Sequence, residues 1–473
     1  MSIVPNVIGE GAFGCVHSPS LQCMNKPKMD YTDKVSKLMD RNNALKELGE
    51  YVGIEKADPE QKYYLGKPIL CEPNNSKITK TAMKKCKAQF SDKALLIMKD
   101  GGLNVRKLTM GWSKMPITPE LIKEVGDFWL DTHKLLIGLK LFLANDIVHH
   151  DLKAENIVYN KKTRSISFID FGHMRPLSTF VKYASENKSG IADEHWSYPW
   201  ENQFITKRKY HKLATLDDDI KIKYASLFIY QNMNNPNTEY GAFMHLILPK
   251  NNSLLKDTKY SADEIEELKI ENQIEYYRRD YLDFLLKSTP EKYDAFLKKA
   301  TETFDLFGVG LAIAFAWQQT AHILLHTPIN VATLNGAIFG MIRPDVYDRY
   351  DLDTALGVYE KILEPLAESK GLEFQNNILK PKVAIDVPIV KPKPMSEEQF
   401  EKMTRKADSK LKGFCPPGKV LNPLTGRCVK ECGPGQYRNA QFRCVGARRT
   451  VRKKSAKSSG RTLSIRASKQ QSS

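Results

Sequence analysis

Two short clusters of this 473-residue chain carry groups able to do chemistry. His149-His150-Asp151-Leu152-Lys153-Ala154-Glu155-Asn156 offers a carboxylate, an ammonium and a carboxamide within one turn-length of chain. Phe168-Ile169-Asp170-Phe171-Gly172 adds a second carboxylate, fourteen residues beyond Asn156. Aspartate and asparagine oxygens suit a hard cation such as Mg²⁺. An aspartate beside a lysine suits proton acceptance next to a group whose negative charge needs neutralising. Far upstream, Gly9-Glu10-Gly11-Ala12-Phe13-Gly14-Cys15-Val16 is a spacing that lets backbone amides approach phosphates closely. No Lys-Ser/Thr follows it and no βαβ unit surrounds it, so neither a Walker loop nor a dinucleotide fold is indicated. By itself the glycine pattern is weak, and an ordinary hairpin turn is the better reading of it.

Positioning these groups requires strands at the start of the chain and helices after them. Ile3 to Val16 reads as two short strands about the glycine turn, and Tyr31 to Met39 as a third. A helix is expected from about Arg41 to Lys56, and Ala94–Met98 (ALLIM) reads as a buried strand ending in Lys-Asp-Gly-Gly. Apolar residues from Ile117 to Asn145 recur at helical spacing, and short strands are expected around Ile157–Tyr159 and Ile166–Ile169.

The glycine loop, the HHDLKAEN segment and the FIDFG segment, in this order, resemble the protein kinase signature set. The resemblance covers about 370 residues. It implies an α+β, bilobal protein kinase-like fold with a β-rich N-lobe and a helical C-lobe, plus a small Cys-containing C-terminal module. It also implies ATP and Mg²⁺ as cofactors. By the resemblance, Asp151 accepts or orients the substrate hydroxyl proton, Lys153 sits beside the transferring phosphoryl group, and Asn156 and Asp170 hold the metal. Ile8, Gly9, Gly11, Gly14 and Val16 line the nucleotide, and Met98 takes the gatekeeper place before a hinge of Lys99-Asp100-Gly101-Gly102. Lys37 takes the place of the strand lysine, favoured over Lys34 because Val35 and Lys37 share a strand face. Its helix partner is Glu47, with Glu50 as the alternative. Ser197-Tyr198-Pro199-Trp200-Glu201 resembles the end of an activation segment, Asp305 the aspartate that organises the catalytic lobe, and Arg349 the partner of Glu201. The Asp-Leu-Lys-x-x-Asn form is closer to serine/threonine than to tyrosine kinases.

Two features depart from the family pattern. His150 replaces the arginine that normally precedes the catalytic aspartate and pairs with a phosphorylated activation loop. About a hundred residues, 202 to 304, separate Glu201 from Asp305, which implies a large insertion.

Organisation changes near residue 378. The domains expected are a kinase-like domain over 1–378 (N-lobe about 1–100, C-lobe 101–378), a Pro-rich and charged linker over 379–412, cysteine repeats over 413–444 and a basic disordered tail over 445–473. CPPGKVLNPLTGRC and CGPGQYRNAQFRC form an internal repeat with Cys415, Cys428, Cys432 and Cys444. Their spacing lacks the close pairs of a zinc ribbon and leaves disulfide, thiol and zinc states open. The first repeat resembles the two-cysteine adaptor module of large DNA viruses. This implies a kinase of a nucleocytoplasmic large DNA virus (iridovirus-like), located in host cytoplasm, viral factory or virion, with viral or host proteins as partners. Cys15, Cys23, Cys71 and Cys86 are expected as free thiols in such an intracellular setting.

Charge and hydropathy exclude other classes. The net charge is +17, of which the tail beyond Cys444 supplies nine Lys/Arg and no acid, suited to non-specific nucleic-acid contact. The apolar run Leu306 to Trp317 is too short to span a bilayer, and the N-terminus has no secretory pattern, so no membrane partner is expected. Two alternatives to a protein kinase remain at this level: a catalytically weak pseudokinase scaffold, and a basic-tailed packaging or adaptor protein.

Overall fold

The computed structural model describes residues 4–11, 14–26, 28–88, 90–188, 190, 195–234 and 270–382, and four short stretches further on (419–422, 427–433, 436–438 and 443–446). The chain divides into two compact units, Met1–Val383 and Ala384–Ser473. The first is a mixed α+β structure with an antiparallel sheet at its N-terminal end.

The sheet is built from β1 (Asn6–Gly11), β2 (Gly14–Ser18), β3 (Lys34–Asp40), β4 (Ile69–Cys71) and β5 (Lys93–Lys99), in the order β1-β2-β3-β5-β4. Alternation sorts its side chains. Leu38, Leu95 and Ile97 bury on one face with Cys15, Cys23, Cys71 and Cys86, while Met39, Ala94 and Leu96 bury on the other with Ala44. Ala44 belongs to helix α1 (Arg41–Ala57), which starts directly after β3 because the Asp40 side chain caps it, accepting from the Asn42 amide at 2.9 Å. The helix therefore lies against the face that carries Lys37.

After α2 (Lys77–Met83), the chain leaves the sheet through β6 (Leu103–Asn104) into α3 (Val105–Trp112) and α4 (Pro119–Ala144). Thr118 caps α4 and Pro119 opens it, a start that suits a residue without an N–H. Then come β7 (Ile147–Val148), β8 (Ile157–Asn160), β9 (Ser165–Phe168), β10 (Arg175–Pro176) and α5 (Leu177–Ser185). Helices α6 (Lys207–Ala214), α7 (Asp218–Asn234), α8 (Ile270–Lys287), α9 (Tyr293–Glu302), α10 (Phe304–Leu324), α11 (Val331–Ile342) and α12 (Leu352–Ser369) complete the helical part. One large apolar cluster runs through α4, α10, α11 and α12. Among the described residues no single helix is long and apolar enough to cross a membrane. Gly310 and Gly340 let these helices close up, since a Cβ would meet Ile342 at 2.7 Å and the Tyr350 ring at 2.2 Å.

Two expectations need correction. The stretch from Leu379 is not linker at its start: β11 (Leu372–Gln375) and β12 (Ile378–Pro381) form a hairpin, and Phe374 packs 5.0 Å from the His133 ring. Asn376 and Asn377 both take positive φ, which a two-residue hairpin turn requires, and Pro381 is tolerated at the strand end. The four N-terminal cysteines are not thiols but the disulfides Cys15–Cys86 and Cys23–Cys71, with Cα separations of 5.9 and 5.7 Å. Their partners lie on different strands and loops, so spacing along the chain carried no sign of the pairing. The described part of the insertion packs into the helical part, with Phe228 of α7 4.8 Å from Tyr281 of α8 and Trp200 5.3 Å from the same ring.

In the second unit each cysteine repeat gives a hairpin: β13 (Lys419–Asn422) pairs β14 (Arg427–Lys430), and β15 (Gln436–Arg438) pairs β16 (Cys444–Gly446). Cys432 and Cys444 are disulfide-bonded, which removes them as zinc ligands in this state. Cys415, the charged part of the linker over 396–412 and the tail beyond 446 lie outside the described residues.

Candidate active site

Lys37 is the hub. Strand β3 turns it toward α1, where its Nζ lies 2.7 Å from Glu47 Oε2 and 3.2 Å from Asp170 Oδ1. Lys37 and Glu47 are largely buried, whereas Asp170 is about half exposed. Glu47 rather than Glu50 makes the pair, because it sits on the buried face of α1 with Ala44, Tyr51 and Ile54. Burial works against the Lys37 ammonium, but Asp170 and Glu47 outweigh it and hold its pKa above the ordinary lysine value. At Glu47 burial wins over Lys37 and the carboxyl lies above the usual range. At Asp170 the order reverses: burial raises the carboxyl, but Lys37, His149 and Lys153 together pull it below the usual range.

Asp170 adopts φ +65°, a left-handed conformation rare outside glycine. Its neighbours fix it there. Ile169 donates its N–H to Asn156 O at 3.0 Å and accepts from His149 Nε2 at 3.0 Å. That donation makes His149 Nε2 the protonated nitrogen, leaving Nδ1 to accept from the Asp151 amide at 3.4 Å. Burial keeps this imidazole neutral by lowering its pKa. Phe171 then packs 4.8 Å from the His149 ring and 5.5 Å from Tyr51 of α1, so the helix that carries Glu47 and the loop that carries Asp170 share one aromatic contact.

The second cluster centres on Asp151. Lys153 Nζ reaches its two carboxylate oxygens at 2.7 and 2.9 Å. Asn156 Nδ2 donates to Asp151 Oδ2 at 2.9 Å and to its carbonyl at 2.8 Å. With Nδ2 so committed, Asn156 Oδ1 is left for another partner, and Asp170 still has Oδ2; two such oxygens fit a hard cation. The loop is held from behind by Asp305, which accepts the amides of His149 at 2.6 Å and His150 at 2.9 Å. Burial pushes the Asp305 carboxyl up to about 6, against the pull of those two amides.

His150 is fully packed. It stacks on Phe304 at 4.5 Å and meets Phe180 and Tyr198 edge-on at 5.0 and 5.2 Å. Its Nδ1 lies 3.4 Å from the Tyr198 hydroxyl and its buried Nε2 has no partner. Burial first, then Arg175, His173 and His149, drives its pKa far below the ordinary value, so the ring is neutral. Downstream, Glu201 and Arg349 form the pair read from sequence.

The other nucleotide-site candidates occupy the sheet's edge. Ile8 is exposed on β1, Gly9 faces Val16 across the β1–β2 ladder and Gly11 faces Gly14. Gly14 is required, since a Cβ there would come within 2.4 Å of Leu38 O. Lys107 of α3 donates to the Ile8 carbonyl, a link between the sheet and the helical part with no sequence signal. Met98 ends β5 half-buried, opposite Val35, and the Asp100 amide bonds Asp33 O at 2.8 Å. A cavity of about 600 Å³ is lined by Lys99–Leu103 together with Tyr64, Leu108 and Tyr159, and by none of Lys37, Asp151, Asn156 or Asp170.

No protein-family model matches the chain, and no curated protein matches it.

Proposed function

We propose that the chain is an ATP- and Mg²⁺-dependent serine/threonine protein kinase with a bilobal kinase fold. The observation that carries this reading is the convergence on Lys37: a strand lysine meets a helix glutamate and the aspartate of the Phe171-Gly172 loop, and Asn156 links that loop to Asp151. Phosphoryl transfer asks a protein for positioned charge more than for covalent chemistry. Lys37, kept charged by two carboxylates, supplies a fixed cation for the α/β-phosphates. Asp151 accepts the proton of the substrate hydroxyl, and Lys153 moves charge of the opposite sign beside the transferred group. Asn156 Oδ1 and Asp170 are the oxygens for Mg²⁺, which neutralises phosphate charge when bound. The serine/threonine class and the viral adaptor role rest on the Asp151–Asn156 pattern and the cysteine repeats respectively.

The test is transfer from γ-labelled ATP to generic acidic and basic protein substrates. Wild type is expected to label serine or threonine, Asp151→Asn to lose transfer while binding ATP, and Lys37→Met to lose both. ATP binding without transfer under all conditions would turn the reading toward a scaffold.

A further inference from the structure

The glycine hairpin is laddered to β3 through β2 and bonded by Lys107 at the Ile8 carbonyl, and on its other side it is held by one short segment, Lys85-Cys86-Lys87. Lys85 Nζ donates to Asn6 Oδ1 at 2.6 Å and to Pro5 O at 3.4 Å. The Lys87 amide donates to Glu10 Oε1 at 2.7 Å. Between them Cys86 is joined to Cys15, which immediately follows Gly14 and faces Glu10 across the β1–β2 ladder. Three residues before this segment, Ala82 O lies 3.3 Å from His17 Nε2. The covalent bond thus sits in the middle of side-chain hydrogen bonds and one ion pair, Lys87 Nζ to Glu10 Oε2 at 3.7 Å. The second disulfide differs in this respect. Around Cys23–Cys71, backbone bonds from Met24 N to Glu72 O and from Asn74 N to Gln22 O, both 2.8 Å, hold the two segments together without the sulfurs.

We propose that Cys15–Cys86 is a redox-cleavable clamp that sets how tightly the β1–β2 hairpin holds a nucleoside triphosphate, an inference that rests on the nucleotide site described above. The cleaving partner is a dithiol. Its thiolate attacks one sulfur to give a mixed disulfide, and its second thiol closes its own disulfide; Cys15 and Cys86 take up two electrons and two protons and leave as thiols. Both cysteines are buried, so attack requires the hairpin to lift. A nucleotide that keeps the hairpin down therefore opposes reduction, and reduction weakens the nucleotide by the same factor, because coupling between two equilibria is reciprocal. If the freed hairpin spends roughly a tenth of its time in the binding geometry, affinity drops roughly tenfold.

The experiment uses the full chain, oxidised or treated with dithiothreitol, together with Cys15→Ser/Cys86→Ser and Cys23→Ser/Cys71→Ser. Mg-ATP affinity is measured by calorimetry and amide exchange over residues 7–16 by mass spectrometry, with strand β5 as the folding control. Reduction and Cys15→Ser/Cys86→Ser are expected to weaken ATP roughly tenfold and to speed exchange in the hairpin but not in β5, while Cys23→Ser/Cys71→Ser leaves both unchanged. Should the variant not fold, the wild type decides: saturating Mg-ATP is expected to lower the midpoint potential of Cys15–Cys86 by about 30 mV for a tenfold coupling. An ATP affinity untouched by redox state, with a midpoint potential untouched by Mg-ATP, overturns the clamp alone. An oxidised chain that binds no Mg-ATP overturns the nucleotide site and the clamp with it, even where hairpin exchange responds to reduction.

Discussion

Glu201 and Arg349 lie 148 residues apart and meet as a two-pronged ion pair with no solvent exposure, at 2.6 and 2.8 Å. Arg349 spends its remaining donors on Arg343 O and Thr303 Oγ1, so the guanidinium is satisfied on all sides. The pair joins the segment after Tyr198 to the start of α10 and the turn after α11. Breaking one side leaves the other charge buried and unpaired, which costs about 3–5 kcal/mol. Arg349→Met is therefore expected to lower the denaturation midpoint strongly, and Glu201→Leu/Arg349→Met to recover much of the loss. Urea titrations of the two variants check this; equal losses would mean that the pair contributes through packing alone.

The pH response of the proposed nucleotide site should be governed by Glu47. Burial raises its carboxyl above the ordinary glutamate value despite Lys37, whereas Asp170 is held below the ordinary aspartate value. On acidification Glu47 takes its proton first, at a pH above 4.5, and the ammonium of Lys37 loses its helix partner while Asp170 is still ionised. ATP affinity is expected to fall along a single acid limb there. Glu47→Gln, already weaker at neutral pH, is expected to show no such limb, and a titration of affinity against pH decides.

His150 links pH to folding rather than to affinity. Its folded pKa lies well below 6.5 because burial disfavours the imidazolium, so the unfolded chain takes a proton that the folded one refuses. Stability is unaffected above pH 6.5 and declines as pH falls below it, by about 1.4 kcal/mol per pH unit for one such group. His17, His133 and His149 are lowered by burial in the same way and add to the slope. His150→Phe keeps a ring between Phe180, Tyr198 and Phe304 and is expected to reduce the slope of unfolding free energy against pH by one proton. Chemical denaturation between pH 5 and 7, roughly the range in which free histidine titrates, measures it.

Much of this site was legible in the chain. The strand about Lys37 follows from alternation and the helix about Glu47 was expected from about Arg41, and Asp151, Asn156 and Asp170 are brought together in the order of their motifs. The choice of Glu47 over Glu50 needed the burial of one face of α1, which the sequence leaves ambiguous because both residues flank apolar positions. The disulfides, the Lys107–Ile8 link and the ring stack on His150 were not legible at all. Each depends on residues far apart in the chain whose meeting is decided by tertiary packing. The end of the first unit was misplaced because prolines suggested a linker, while Asn376-Asn377 supplied the positive φ values of a tight turn.

Gly308 shows how the helical core reaches the loop that carries Asp151 and Lys153. It lies on α10, and a Cβ there would come within 2.6 Å of Leu152 O and 2.8 Å of Leu152 Cβ. The backbone between Asp151 and Lys153 therefore rests directly on the helix, which a side chain of any size would push away. Neither α10 nor the loop can yield cheaply: Leu152 is buried, and Asp305 one turn earlier holds the amides of His149 and His150. Gly308→Ala should displace Asp151 and Lys153 while leaving Lys37 and the glycine hairpin in place. A misplacement of about 1 Å at a reacting group costs on the order of a hundredfold in rate. Steady-state kinetics are thus expected to show kcat lowered by about that factor with ATP affinity nearly unchanged, and loss of ATP affinity instead would mean that the change propagates through Phe171 to α1 rather than through Asp151.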